Sequence, residues 1–276
     1  SLSTSPFDGL SVFERGWLSS NNVVLHGQGE GATLVDTSHG RHASQTIALV
    51  RQALRGEPLA RVVNTHLHSD HTAGLSDLIF TPAVLDRNVP LQVLGPKGTQ
   101  RMVRHTQKAF QEDMKIRIHG LEFGNAMGYQ VHVKEISPGI IYQDSLIRVK
   151  AFRVKHGSWK EAFGFRFETA DKVIVVSGDC TYSEELIEQA KGADILVHEV
   201  YSSIGLNKRE KRWKNYHSIF HTSPAQLGQI ATAAKPKVLV LTHQLFFGTA
   251  PDQLLQEVKN AYPGKVVQGN DLDVFD

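Results

Sequence analysis

Val62-Val63-Asn64-Thr65-His66-Leu67-His68-Ser69-Asp70-His71-Thr72-Ala73-Gly74 is the stretch that decides the fold. An apolar, β-branched run passes straight into three imidazoles and a carboxylate. The run predicts a buried strand over Arg61–Asn64, and the polar residues predict a loop at its end, with Gly74 allowing a sharp turn. Imidazole nitrogens and carboxylate oxygens are donors that Zn²⁺ accepts at about 2.0–2.2 Å, a catalytic site keeping one position for water. In such a turn His66 and His68 can face one ion while Asp70 and His71 face a neighbour. The competing reading is a solvated loop that happens to hold three histidines. An apolar strand leading directly into it argues against that.

The flanking sequence predicts a strand-rich chain with recurring helices. Strands fit Asn22–Gly27, Ala32–Asp36 and Leu91–Leu94, and helices fit Ala43–Arg55 and Gln100–Phe110. Tyr129–Ile136, Leu146–Val154 and Phe163–Phe167 alternate, which predicts consecutive antiparallel strands with one wet face. Lys172–Ser177 and Val238–Thr242 read as buried strands, and Asp194–Val200 as a strand. Glu184–Ala190, the segment from Ser223-Pro224 to Ala234, and Pro251–Ala261 read as helices, Ser223 being a cap with proline in the first turn. Two sheets between helical layers fit this order better than one parallel sheet. Polar ligand types recur where strands end, at Asp36, His66, His156, Asp179 and His243.

Composition adds limits. The 276 residues are 41% hydrophobic and 21% charged, as in globular proteins, and no stretch approaches the ~20 apolar residues of a membrane span. A formal net charge of +2, from 30 basic and 28 acidic residues, argues for neither nucleic acid nor an anionic membrane. Cys180 is the only cysteine, so no internal disulfide forms. That favours a cytoplasmic protein while also fitting a periplasmic one. No charged and apolar leader is legible at the N-terminus. The 14 histidines are a rich supply of the commonest metal ligand.

The H-x-H-x-D-H run resembles the signature of the metallo-β-lactamase superfamily, and later elements match in order. His156 in Lys155-His156-Gly157-Ser158, Asp179 in Ser177-Gly178-Asp179 and His243 in Leu241-Thr242-His243 look like its remaining ligands, and Asp36 like the early aspartate that supports the site from outside. The resemblance implies an α/β (α+β) fold, the αββα metallo-β-lactamase-type sandwich, as a single domain over 1–276. It implies two divalent metal ions, zinc first, with manganese or iron also accommodated. His66, His68 and His156 would hold one ion, Asp70, His71 and His243 the other, and Asp179 would bridge them. Cys180, where relatives commonly carry threonine, reads first as a thiol beside the ligands and second as a soft ligand.

Thr72-Ala73-Gly74-Leu75, Val197-His198-Glu199 and His221-Thr222-Ser223 are similar to the branch containing tRNase Z and arylsulfatase-like enzymes. There the histidine of the last element, paired with the glutamate, donates a proton. This puts His221 and Glu199 beside Asp70 as catalytic candidates, with His217 as the rival donor. The resemblance implies a metal-dependent hydrolase whose bridging hydroxide attacks an ester, a phosphodiester being the first choice. A sulfate ester, lactone, or carboxylic or thioester on the same site is the alternative. An iron-dependent redox enzyme is the alternative from another class.

Two departures shape the substrate expectation. Only 22 residues separate His156 from Asp179, so the long tRNA-gripping arm of tRNase Z is absent. The cluster Lys208-Arg209-Lys211-Arg212 reads first as solvated surface and second as a polyanion contact. The expectation is therefore a small-molecule ester substrate, not tRNA and not a membrane, with a homodimer compatible. Specificity is expected in loops at Leu78–Asn88, His119–Gly128 and Tyr201–Tyr216. Phe123, Met127, Phe246 and Phe247 fit a pocket, a subunit contact or core equally. The second departure is Gly16-Trp17-Leu18-Ser19-Ser20-Asn21-Asn22, which with Val35-Asp36-Thr37 and Val62–His66 is more similar to glyoxalase II-like members. A natural or built chimera would explain that change of character.

Overall fold

The computed structural model describes residues 7–13, 22–27, 31–38 and 43–275. These fall into two compact units, one built mainly from Asp8–Ile136 and the other mainly from Ser137–Asp273. The Gly16–Asn21 part of the glyoxalase II-like stretch lies outside the described residues.

The first unit runs β1 (Phe7–Phe13), β2 (Asn22–Gly27), β3 (Ala32–Val35), α1 (Ala43–Leu54), β4 (Leu59–Val63), α2 (Ser69–Thr72), α3 (Leu75–Val84), β5 (Leu91–Gly95), α4 (Thr99–Ala109), α5 (Gln111–His119), a 3-10 turn (Ala126–Tyr129) and β6 (Val131–Glu135). The second runs β7 (Gly139–Gln143), β8 (Arg148–Arg153), β9 (Phe163–Glu168), β10 (Val173–Val176), α6 (Glu184–Ala190), β11 (Ile195–Tyr201), α7 (Ser203–Asn207), α8 (Lys211–Phe220), α9 (Pro224–Ala234), β12 (Val238–Leu245), α10 (Pro251–Ala261) and β13 (Val266–Gln268). A last strand, β14 (Asp273–Phe275), returns to the first sheet.

Each unit holds one mixed seven-stranded sheet, β14-β1-β2-β3-β4-β5-β6 in the first and β13-β12-β11-β10-β9-β8-β7 in the second. The helix-bearing, two-sheet α/β class expected from the sequence is the class observed. In the first sheet β3, β4, β5 and β6 pair in parallel. Val62 and Val63 are buried there, as a β-branched run without wet alternation requires. In the second, β10 to β13 are parallel, and β7, β8 and β9 add antiparallel neighbours. Ligands commonly collect beyond the carboxyl ends of parallel strands. Asp36 and His66 follow β3 and β4 there, and Asp179 follows β10.

Leu186, Leu196, Leu227, Ile230, Leu239 and Leu254 form part of the second unit's core. Ser223, read as a cap, forms with Gln226 a complete capping box at the start of α9, and Ser183 caps the start of α6. Among the described residues, no helix is long and apolar enough to cross a membrane.

Several expectations are corrected. β6 pairs in parallel with β5 in the first sheet, so it is not the start of the antiparallel run; that run begins at β7. Alternation reports exposure of one face, and a parallel strand at a sheet edge shows it too. Leu78–Asn88 begins inside α3, whose Leu75, Leu78 and Ile79 are buried although Pro82 lies within the helix. Tyr201–Tyr216 contains α7 and the start of α8. Gly74 is not needed for its backbone angle, φ −72°. It is needed for room, since a β-carbon there would lie 2.0 Å from the Thr37 carbonyl oxygen. Of the four open apolar residues, Phe246 and Phe247 pack into core clusters, while Phe123 and Met127 are exposed.

Candidate metal centre

The first unit sets its donors with a buried relay. Asp36 leaves β3 with φ 57° and is almost fully buried. Its Oδ1 accepts the Thr65 amide at 2.8 Å, and its Oδ2 accepts the Thr65 hydroxyl at 2.8 Å. Having donated that proton, the Thr65 hydroxyl accepts from His66 Nδ1 at 3.0 Å. Asp36 Oδ2 also accepts from His71 Nδ1 at 2.8 Å. One carboxylate thus fixes both rings in the tautomer whose lone pair sits on Nε2. This is the arrangement that orients imidazole ligands toward a metal. His66 Nε2 lies 2.9 Å from His68 Nδ1, and Asp70 Oδ2 lies 3.7 Å from His71 Nε2. Thr65 was quoted in the sequence but given no role; its place between strand and first histidine is the only signal it offers.

Asp36→Ala is expected to strand the Thr65 amide and hydroxyl and His71 Nδ1 without their acceptor. Loss of such a supporting group typically costs about 10–100-fold in metal affinity. Competition against a chromogenic chelator measures it, and an unchanged affinity would deny the relay its role.

The second unit carries the other candidates. His156 Nδ1 donates to the Phe220 carbonyl at 2.8 Å, which again leaves the lone pair on Nε2. The His156 loop admits Phe220 only because residue 157 is glycine: φ is 51°, and a β-carbon would lie 2.3 Å from the ring. Asp179 is buried after the Gly178 turn, its Oδ2 3.4 Å from His243 Nε2. His243 does not follow a strand as read from the sequence; it lies inside β12. Glu199 pairs with Thr242 and Val200 with Gln244, so His243 is the extra residue of a bulge, at φ 40°. A bulge re-aims one side chain out of the alternation, a device that recurs next to active sites.

Donor atoms of His156, Asp179 and His221 lie within 4.8 Å of one another, as do those of Glu199, His221 and His243. The donor chemistry, imidazole nitrogens and a carboxylate, fits a divalent ion.

His221 caps the end of α8 and places Nδ1 3.1 Å from Glu199 Oε1. The same oxygen accepts the Cys180 amide at 3.1 Å. Burial, with Asp179 nearby, pushes the Glu199 carboxyl well above the usual carboxylate range. The Glu199–His221 pair therefore holds a shared proton more firmly than an exposed pair would. His217, the rival, is pulled down to about 4 by burial and by repulsion from His221 and His243. It packs on Phe247 at 4.6 Å, and the carboxylate pairs with His221 instead. His198 is core: burial lowers it to about 4, and its Nδ1 donates to the Glu199 carbonyl at 2.6 Å. Cys180 is fully buried, and burial followed by Glu199 and Asp179 raises its thiol well above the ordinary range. Its Sγ sits 3.9 Å from His198 Nε2 as a weak donor.

A family model described as beta-lactamase superfamily domain matches residues 32–244. Ribonuclease Z of Mycobacterium bovis (strain BCG / Pasteur 1173P2) is 31% identical over 251 residues, covering 88% of this chain and 87% of its own. In structure, the metallo-beta-lactamase fold protein YhfI from Bacillus subtilis aligns with a TM-score of 0.71 at 16% identity, over 96% of this chain and 98% of that one. The short form of human tRNase Z aligns with a TM-score of 0.69 at 22% identity, over 97% and 98%.

The ribonuclease Z relationship overturns the expectation of a small-molecule ester substrate with tRNA disfavoured. The physical error lay in reading chemistry from an appendage. A missing arm removes one grip on a polyanion, whereas phosphate affinity follows local clusters of Lys and Arg. A net charge of +2 conceals such clusters.

Proposed function

The chain belongs to the beta-lactamase superfamily, and on that premise we propose that it cleaves phosphodiester bonds of RNA at a centre of two divalent metal ions. It is a metal-dependent hydrolase of the phosphodiesterase type. In the proposed arrangement His66, His68 and His156 would hold one ion, Asp70, His71 and His243 the other, with Asp179 as a ligand to both. Residues 1–276 act as a single hydrolase domain. Zinc suits these nitrogen and oxygen donors best, and manganese or iron accept the same set.

When bound, such ions supply a nucleophile at neutral pH and offset charge on the oxygens of the displacement. The chain's own residues do the rest. Asp36 and Thr65 hold His66 and His71 in the ligating tautomer. The Phe220 carbonyl does the same for His156. Glu199, fixed by the Cys180 amide, steadies His221, which gives its proton to the leaving alkoxide. The observation that carries the reading is this Glu199–His221 pair beside the Asp179, His156 and His243 donors, because a ribose oxygen is a poor leaving group without a proton.

Turnover of a tRNA and of bis-p-nitrophenyl phosphate, before and after chelation, tests the proposal. Chelator-sensitive cleavage of both is expected. Cleavage of the small diester alone would remove RNA from the reading, and cleavage that survives chelation would remove the metals.

A further inference from the structure

We infer that α8 is a track for single-stranded RNA, gripping the nucleotides that flank the scissile phosphodiester; this rests on the RNA reading above. Trp213, Tyr216, His217 and Phe220 stand at i, i+3, i+4 and i+7, so they share one stripe of the helix. Their rings run in unbroken contact from solvent to the candidate ligands. Trp213 meets Tyr216 at 6.1 Å, Tyr216 stacks on Phe220 at 4.3 Å, and Phe220 meets His156 at 5.1 Å. A branch passes from Tyr216 to His217 at 5.0 Å, to His221 at 5.5 Å and to His243 at 5.6 Å. Exposure falls along the way, from 44% at Trp213 and 37% at Tyr216 to 6% at His221 and 1% at His156.

A helix with no fully buried residue that carries large rings on its surface needs a reason, and its charge supplies one. Residues 208–214 hold Lys208, Arg209, Lys211, Arg212 and Lys214 against Glu210 alone. Arg212 lies over the Trp213 ring at 5.1 Å, and Arg209 over Phe247 at 6.0 Å. Rings that bases can stack on, flanked by cations that track phosphates, are the two parts of a single-strand platform. Paired bases would offer no free face to these rings, so the occupant is unpaired RNA. His221 is the residue that caps the end of α8, so a strand lying along the stripe is led to the proposed proton donor.

The test is binding of a short fluorescein-labelled single-stranded RNA to the metal-loaded protein, with metal content and helical circular dichroism as controls on folding. W213A with Y216A is expected to weaken binding about tenfold or more, and W213F to restore most of the loss at that position. K211A with R212A and K214A is expected to lower the slope of log affinity against log salt by about 2, from ~0.7 per cation on a single strand. If the wild type binds and cleaves RNA while these variants match it in affinity and salt slope, the track is wrong and the RNA reading stands. A wild type that hydrolyses bis-p-nitrophenyl phosphate but neither binds nor cleaves RNA overturns both. Polyglutamate bound as tightly as RNA would overturn the track in favour of an acidic-peptide dock.

Discussion

His66→Ala combined with Asp70→Ala is expected to reduce cleavage of both RNA and bis-p-nitrophenyl phosphate to the buffer rate while the protein stays folded. In the proposed centre the two residues belong to different ions, so the pair of changes strikes both. The size of the loss follows from what the metals would supply, a water acidified toward neutral pH as nucleophile, for which the proposal names no protein substitute. Folding is expected to survive because Thr65 remains anchored on Asp36 through both its amide and its hydroxyl. Single-turnover cleavage, alongside the metal content of the variant, measures the effect. Turnover equal to wild type would end the metal-hydrolase account.

His221→Ala is expected to slow RNA cleavage by about 10²–10⁴-fold, the usual worth of a positioned general acid. The small diester should suffer much less, because p-nitrophenolate departs without a proton. That difference between substrates separates a donor from a residue that merely shapes the site. The sign of the pH dependence follows from the same pair. The donor acts protonated, so activity is lost as pH rises through the titration of the Glu199–His221 pair. Burial and Asp179 push the Glu199 carboxyl up, so the pair keeps its proton to higher pH than an exposed one. Glu199→Gln removes the carboxyl that shares the proton with the His221 ring and is expected to move the alkaline limb to lower pH. A limb that stays in place, with equal losses on both substrates in His221→Ala, would reassign the donor.

Much of this was legible in the chain because it is written locally. The β-branched run before His66 predicts a buried strand, and β4 is one. Ser223 followed by Pro224 announces α9 to the residue, since a cap is a side-chain property. What depends on partners was not legible. Alternation in Tyr129–Ile136 records one wet face and is silent about whether β5 or β8 lies alongside. Pro82 disguised α3, although Arg87 donates to the Leu78 and Ile79 carbonyls beneath it. His243 was identified by its order in the chain, but the bulge that turns it out of β12 is a register effect between two strands. Glu199 and His221 were paired by resemblance; their common anchor, the Cys180 amide, is a tertiary contact that no spacing records. The substrate is illegible for a different reason: an absent arm and a near-neutral total charge say nothing of a local run of cations such as that at 208–214.

In the proposed centre the metals would sit on side chains set in advance by the Asp36–Thr65 relay and the Phe220 carbonyl. Metal content of the purified protein, taken with RNA turnover before and after chelation, decides whether that centre exists. About two equivalents of a divalent ion per chain are expected, as a two-metal phosphodiesterase requires, removed together with activity and restored together on adding the ion back. A folded protein that holds no metal and still cleaves RNA at an undiminished rate would contradict it.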